Sequence, residues 1–415
     1  MNDLTATAKL EGCRILIYSH DTFGLGHLRR CRTIAHALVD AYKGVTVLIL
    51  SGSPIIGQFD FKARVDFIRI PGVIKLHNGD YTALGLHISL DDTLALRDSI
   101  ILHTAKVFAP DIFLVDKEPG GLKGEVLSTL KMLKDKDTCC ILGLRDVMDE
   151  PEQLREEWRR KKVQPTLQEL YDEIWIYGPP VMGNPIKGAF DCDESELQPI
   201  YDKCTYTGFL QRELPEHIDT TELDVPEEPY ILVTPGGGGD GVEMVEGVLR
   251  AYEQQRLPLP ALIVLGPFMP LNVRDDLLQR ASQLEQVTTI TFTPNFEVLM
   301  KSASAVIAMG GYNTFCELLS FDKAALIVPR IVPRLEQLIR AEKAERLGLV
   351  KVLHPEKLNN TDAIVEAIQN LLDMPPPSSA GHDKLLNGLP TIIQRVANIM
   401  SDLPSQQLFS RPPIG

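Results

Sequence analysis

None of the seven cysteines forms a C-x-x-C pair, and their number is odd. A disulfide framework or a zinc knuckle is therefore not expected, and reduced thiols in a cytoplasmic setting are. The N-terminus MNDLTATAKLEG lacks a basic start followed by an apolar run, so no secretory signal is read there. No stretch approaches the ~18 consecutive apolar residues of a spanning helix, although a resting place on a membrane surface stays open. Basic residues are in deficit, 42 against 56 acidic ones for a net charge of −14, which argues against broad nucleic-acid binding. Gly (30) and Pro (29) are at ordinary levels, which excludes collagen-like and low-complexity chains. The nine histidines form no H-x-x-x-H or H-E-x-x-H pattern, so no metal site is expected from them.

What is present is alternation. A length of 415 residues predicts two or three domains. Short apolar runs at Arg14–Tyr18, Val45–Leu50, Phe67–Ile70, Asp111–Val115, Cys139–Leu142 and Ile174–Tyr177 read as strands. Between the first two, Leu28, Cys31, Ile34, Ala35 and Leu38 recur at helical spacing. The segment Gly208–Tyr230 is acidic, holds three prolines and has no sustained period, which marks a linker. The alternation then restarts with strands at Ile231–Val233, Ala261–Leu265, Thr288–Phe292, Ala305–Met309 and Ala324–Val328. The expected fold is α/β, two Rossmann-like doubly wound domains in tandem. Their spans are 1–212 and 229–385, with a linker at 213–228 and a C-terminal helix and tail at 386–415 that packs back on the first domain.

Each half opens with strand, Gly-rich turn, helix. The turns are Thr22-Phe23-Gly24-Leu25-Gly26-His27 and Pro235-Gly236-Gly237-Gly238-Gly239-Asp240-Gly241. Glycines let the backbone approach an anion, and the helix start offers N–H groups and a positive dipole end. The second turn fits G-x-G-x-x-G, but the following strand ends at Gly266-Pro267-Phe268 with no ribose-binding acid, so a dinucleotide enzyme is disfavoured. No G-K-[ST] follows either turn, which excludes a P-loop. A third turn, Gly310-Gly311-Tyr312-Asn313-Thr314, leads into a helix carrying Glu317. Thr314-x-x-Glu317 also fits a capping box, in which the glutamate would serve the helix alone.

The register from Gly311 through Glu317 and Val328-Pro329 to Glu336-Gln337 resembles the C-terminal domain of MurG-type glycosyltransferases, glycosyltransferase family 28, of GT-B fold. The Gly-x-Gly-His turn and Thr207-Gly208 match as well, whereas residues 55–205 resemble the family weakly. The resemblance implies that Glu317 binds both ribose hydroxyls of a nucleotide sugar. It implies that Gly236, Gly237, Gly238 and Gly239 cradle the diphosphate, although this loop lacks the hydroxyl side chain frequent in the family. Gly24, Gly26, Gly310, Gly311, Asn313 and Thr314 would line the donor, Arg212 would meet the diphosphate, and Glu336 and Gln337 would meet the sugar.

His27 would face an interdomain cleft as general base or diphosphate contact, its alternative being a helix cap. Asp116, Glu118 and Arg145-Asp146 stand at strand C-terminal ends, where open α/β sheets bind ligands. Asp116 is read as a second catalytic candidate. Asp191-Cys192-Asp193 has metal-dependent D-x-D spacing but follows Gly-Ala-Phe rather than an apolar strand, and is read as an acidic loop. The basic run Arg159–Lys162 reads either as a contact for anionic lipid or a phosphorylated acceptor, or as a solvated helix face.

The expected function is metal-independent transfer of a sugar, N-acetylglucosamine being the one suggested, from a UDP-sugar co-substrate and without a resident cofactor. The acceptor class stays open among lipid-linked, saccharide and small-molecule hydroxyls. The rival readings are a UDP-sugar 2-epimerase or hydrolase on the same fold, and a silent nucleotide-sugar-binding scaffold.

Overall fold

The computed structural model describes residues 12–21, 26–75, 81–214, 226, 228–293, 295–382 and 384–402. The chain divides into two compact units, Met1–Leu210 with Asn387–Gly415, and Gln211–Leu386. The boundary lies two residues before the expected 212. Arg212 N donates to Ser320 Oγ at 2.9 Å, which ties the arginine to the second unit. Gly24, most of the expected linker and residues 403–415 of the tail lie outside the described residues.

The first unit holds β1 (Arg14–Ser19), β2 (Thr46–Ser51), β3 (Val65–Arg69), a hairpin of β4 (Val73–Lys75) and β5 (Tyr81–Ala83), then β6 (Ile112–Asp116), β7 (Cys139–Arg145), β8 (Glu173–Tyr177) and β9 (Cys204–Tyr206). The seven-stranded sheet runs β3-β2-β1-β6-β7-β8-β9, parallel throughout. The central strands are buried nearly end to end, as a sheet covered on both faces requires, which is why they are legible as unbroken apolar runs. The helix Gly26–Ala41 turns Leu28, Cys31, Ile34, Ala35 and Leu38 onto β1 and β2. The last helix, Gly388–Asp402, belongs to this unit. Tyr42 Oη donates to Ile393 O at 3.1 Å, and Arg395 pairs with Glu173.

The second unit holds β10 (Ile231–Thr234), β11 (Ala261–Val264), β12 (Val287–Ile290), β13 (Ala305–Ala308), β14 (Ala325–Ile327) and β15 (Lys351–Val352). Their order is β12-β11-β10-β13-β14-β15, again all parallel. In each sheet the first strand sits in the interior and the order reverses beside it, at β1/β6 and at β10/β13. Loops leaving those pairs diverge to opposite faces and open a crevice at the strands' C-terminal ends.

One contact in the first sheet constrains β7. A Cβ on Gly143 would lie 2.1 Å from the hydroxyl of the buried Tyr177. Gly143→Ala should lower the unfolding free energy by about 1–3 kcal/mol in chemical denaturation, an overpacking cost. Gly57→Ala, where a Cβ would meet nothing within 4 Å, is the control expected to stay near wild type. An undisturbed Gly143→Ala would refute the close approach.

Candidate active site

β1 ends at Ser19 and its neighbour β6 ends on Asp116, so the first switch point gathers His20, Asp21 and Asp116. The helix Gly26–Ala41 starts above it and adds His27. His27 Nδ1 lies 2.5 Å from Asp116 Oδ2. Asp116 is buried, yet Arg30 neutralises it. Its Nε reaches Oδ1 at 2.9 Å, and Nη2 reaches Oδ1 and Oδ2 at 2.7 and 2.8 Å. The guanidinium lies over the Tyr177 ring, 5.8 Å from its centroid. Burial alone would raise Asp116, but Arg30 and His27 hold it well below the usual carboxylate range. Burial draws His27 down to about 4 despite Asp116, with Arg30 and Lys117 adding to the fall.

These values assign the tautomer. An ionised Asp116 only accepts, so His27 Nδ1 carries the proton and Nε2 keeps its lone pair. The Arg30 Nη2 to His27 Nδ1 approach of 3.0 Å is then a contact between two donors. Asp21 takes the helix-start role considered for His27. Its Oδ1 accepts Leu28 N–H at 3.2 Å and its Oδ2 accepts Ser51 Oγ–H at 2.6 Å. Burial pushes Asp21 up to about 6. His20 stacks edge-on to His27, with centroids 5.7 Å apart.

Of the remaining first-unit candidates, Glu118 pairs with Lys161 at 2.8 Å. Asp146 is fully buried, so close to Gly178 that a Cβ there would lie 2.6 Å from its own. The basic run is not a bare cationic face. Arg159 shares Asp191 with Arg155 at 3.7 and 3.6 Å, and Lys161 also pairs with Glu157. The D-x-D loop and the basic run thus meet each other. Among the described residues no cluster of three or more His, Cys, Asp or Glu is arranged to hold a metal.

The second switch point gathers the loops after β10 and β13. Gly236, Gly238 and Gly241 all have positive φ, 79°, 82° and 88°. A Cβ on Gly238 would come 2.4 Å from Leu265 O, and one on Gly266 2.6 Å from Gly236 O, so the two loops close on each other through glycine. Gly236, Gly237 and Gly239 stay exposed, and Gly241 begins the helix Val242–Gln254. After β13, Gly310 at φ 78° turns the chain, and Gly311 is the N-cap of the helix Tyr312–Ser320. Thr314 therefore stands inside that helix and cannot be its N-cap. The capping-box alternative for Glu317 is overturned, because its geometry needs the threonine at the cap. Glu317 is fully buried one turn further on. Arg212, also buried, donates from Nη2 to Asn313 Oδ1 at 2.9 Å.

Glu336 and Gln337 start the helix Glu336–Arg346 and gather on one residue absent from the sequence reading, Arg330. Its Nη2 donates to Glu336 Oε1 at 2.6 Å, its backbone N–H to Gln337 Oε1 at 3.0 Å, and its Nη1 to Asp240 Oδ2 at 2.6 Å. Arg30 and Arg340, also missed, are fully buried. For Arg30 the signal was available: it lies four residues before Ile34, on the apolar face of its helix, where a charge demands a partner.

Two all-parallel sheets of the same strand order, each with its crevice at the switch point, define the GT-B class. A kitacinnamycin glycosyltransferase structure shares the fold at TM-score 0.63, 14% identity, 95% of this chain and 100% of that one. A Listeria monocytogenes protein assigned as a UDP-N-acetylglucosamine 2-epimerase shares it at TM-score 0.57, 14% identity, 97% and 99%. Residues 230–396 match the model of the glycosyltransferase family 28 C-terminal domain. The UDP-N-acetylglucosamine–N-acetylmuramyl-(pentapeptide) pyrophosphoryl-undecaprenol N-acetylglucosamine transferase of Thermotoga maritima is 25% identical over 187 residues, 44% of this chain. The chain spans about half the length of that relative (50%). Among the described residues no helix is long and apolar enough to cross a membrane.

The neutral state of His27 is checkable without any substrate. NMR titration of the imidazoles, with His27→Gln for assignment, should place the His27 inflection near pH 4. An inflection at 6 to 7 would mean that burial does not outweigh Asp116.

Proposed function

We propose that the chain is a glycosyltransferase that moves a sugar from a UDP-sugar to a hydroxyl acceptor, without a metal. The observation that carries this reading is that the glycine loop, the Gly311-capped helix start, Glu317 and Glu336-Gln337 all fall inside the family 28 domain at residues 230–396. All of them surround one sheet's switch point or the loop after β14. In this reading the amides of Gly236–Gly239 and the Arg212 guanidinium take the diphosphate, and Glu317 accepts from both ribose hydroxyls. The relative's printed substrate, UDP-N-acetylglucosamine, supports that donor here, and its lipid-linked acceptor makes a membrane-peripheral setting part of the proposal.

In this reading the chemical step is a direct displacement at the anomeric carbon. His27 Nε2 takes the acceptor's hydroxyl proton, and the oxygen bonds to the sugar's anomeric carbon. The bond from that carbon to the diphosphate breaks, with its electron pair leaving on UDP. Asp116 holds the imidazole in the tautomer that makes Nε2 the base. Backbone amides fixed by the glycine turns, with Arg212, meet the charge that develops on the leaving group.

Glu317→Gln isolates the donor assignment. An amide keeps one acceptor oxygen but replaces the other with a donor, so it cannot serve two ribose hydroxyls. Affinity for UDP should fall roughly ten- to a hundredfold, the worth of a charged hydrogen bond, and fall less for 2′,3′-dideoxy-UDP. Calorimetry on the two ligands decides: equal losses, or none, would remove Glu317 from the donor site.

A second measurement separates the reactions. Incubation with UDP-N-acetylglucosamine alone should leave the donor intact, and His27→Ala should cut transfer ~10²–10⁴-fold while sparing donor affinity. Donor consumed without any acceptor would instead indicate an epimerase or hydrolase.

A further inference from the structure

Arg330 is placed as a bridge with two unequal ends. Its Nη2 grips Glu336, nearly buried at the first turn of a helix, where a carboxylate also gains from the helix dipole. Its Nη1 grips Asp240, whose side chain is 51% exposed. An exposed ion pair contributes only ~0–1 kcal/mol, so the Asp240 end is the exchangeable one. Asp240 directly follows the run Gly236–Gly239 and precedes Gly241, the N-cap of the helix Val242–Gln254. A carboxylate beside a loop read as receiving phosphates repels the ligand, and here that carboxylate is held by Arg330.

We propose that Asp240 is a placeholder on Arg330, and that a nucleoside diphosphate entering the glycine loop displaces it and takes the Nη1 side of the guanidinium. The inference rests on the donor-site reading above and adds to it a cation that supplements backbone amides in a loop without a hydroxyl side chain. Arginine suits the exchange because its planar fork serves two anions at once, keeping Glu336 on one edge while the other changes partner. Glu336 and the Gln337 contact, which uses the Arg330 backbone N–H, stay in place through the exchange. The diphosphate is thereby linked to the two residues assigned to the sugar.

A double-mutant cycle on the full chain tests this by calorimetry with UDP. Asp240→Asn should tighten UDP about two- to fivefold, because the competitor for Arg330 is gone. Arg330→Gln should weaken UDP about tenfold or more. In the Arg330→Gln background, Asp240→Asn should tighten UDP distinctly less than in the wild-type background, the remainder of the effect being the charge repulsion alone. Equal tightening in both backgrounds would show plain charge repulsion and overturn the exchange, as would no tightening in the wild-type background.

Uridine, which has no phosphate, should bind both Asp240 forms alike. Arg330→Lys covers a misfolded glutamine variant, since an ammonium lacks the planar fork that serves two separated anions and the gain from Asp240→Asn should shrink. A full-size gain in the lysine background would count against the exchange. Wild type that binds no UDP would overturn the donor reading and this inference together. UDP binding without an Asp240 effect overturns only the inference.

Discussion

A parallel sheet covered on both faces has no room for charge along its strands, so charged side chains collect where the strands end. Both sheets here obey that constraint, and everything assigned to chemistry follows from it. β1, β6, β10 and β13 are apolar almost to their last residue, and polar groups begin at Asp116 and His20 in one sheet and beyond Thr234 and Ala308 in the other. With the first strand interior and the order reversing beside it, the diverging loops become a crevice instead of a lid. Glycine then decides how near a ligand comes, because the loops after β10 and β11 touch where a single Cβ would collide.

The electrostatics are the second consequence. A carboxylate buried at a strand end stays ionised only with a partner. Asp116 has Arg30 on one side and His27 on the other, and Arg30 in turn rests on Tyr177. With its charge answered by Arg30, Asp116 orients His27 without driving it to the imidazolium. Burial therefore prevails, and the ring stays neutral down to about pH 4. Asp21, lacking such a cation among its named partners, is pushed the other way, to about 6.

Much of this was legible beforehand. Continuous apolar runs mark strands buried on both faces, and the eleven strands expected from them match to within a residue or two at most ends, whereas the short β4, β5, β9 and β15 were not read. The G-x-G-x-x-G spacing is legible because glycine takes the positive φ that Gly236, Gly238 and Gly241 adopt at the least steric cost. The helix start at Gly311 was less so. Thr314 and Glu317 have the spacing of a capping box, and only the observed cap at Gly311, three residues before Thr314, rules it out. The basic run stayed open between an anion contact and a solvated helix face because its counter-charges Asp191 and Glu118 are distant in sequence.

Sequence by itself determined the elements, the order of strand and helix, and the places where the backbone had to be glycine. These depend on local periodicity and on φ, which a residue carries with it. Tertiary structure alone decided the pairings. Arg30 meets Asp116 across 86 positions, and Arg330 meets Asp240 across 90. No local pattern encodes such partners, because an ion pair is selected by distance and desolvation in the folded chain, and both exist only after the sheets have formed.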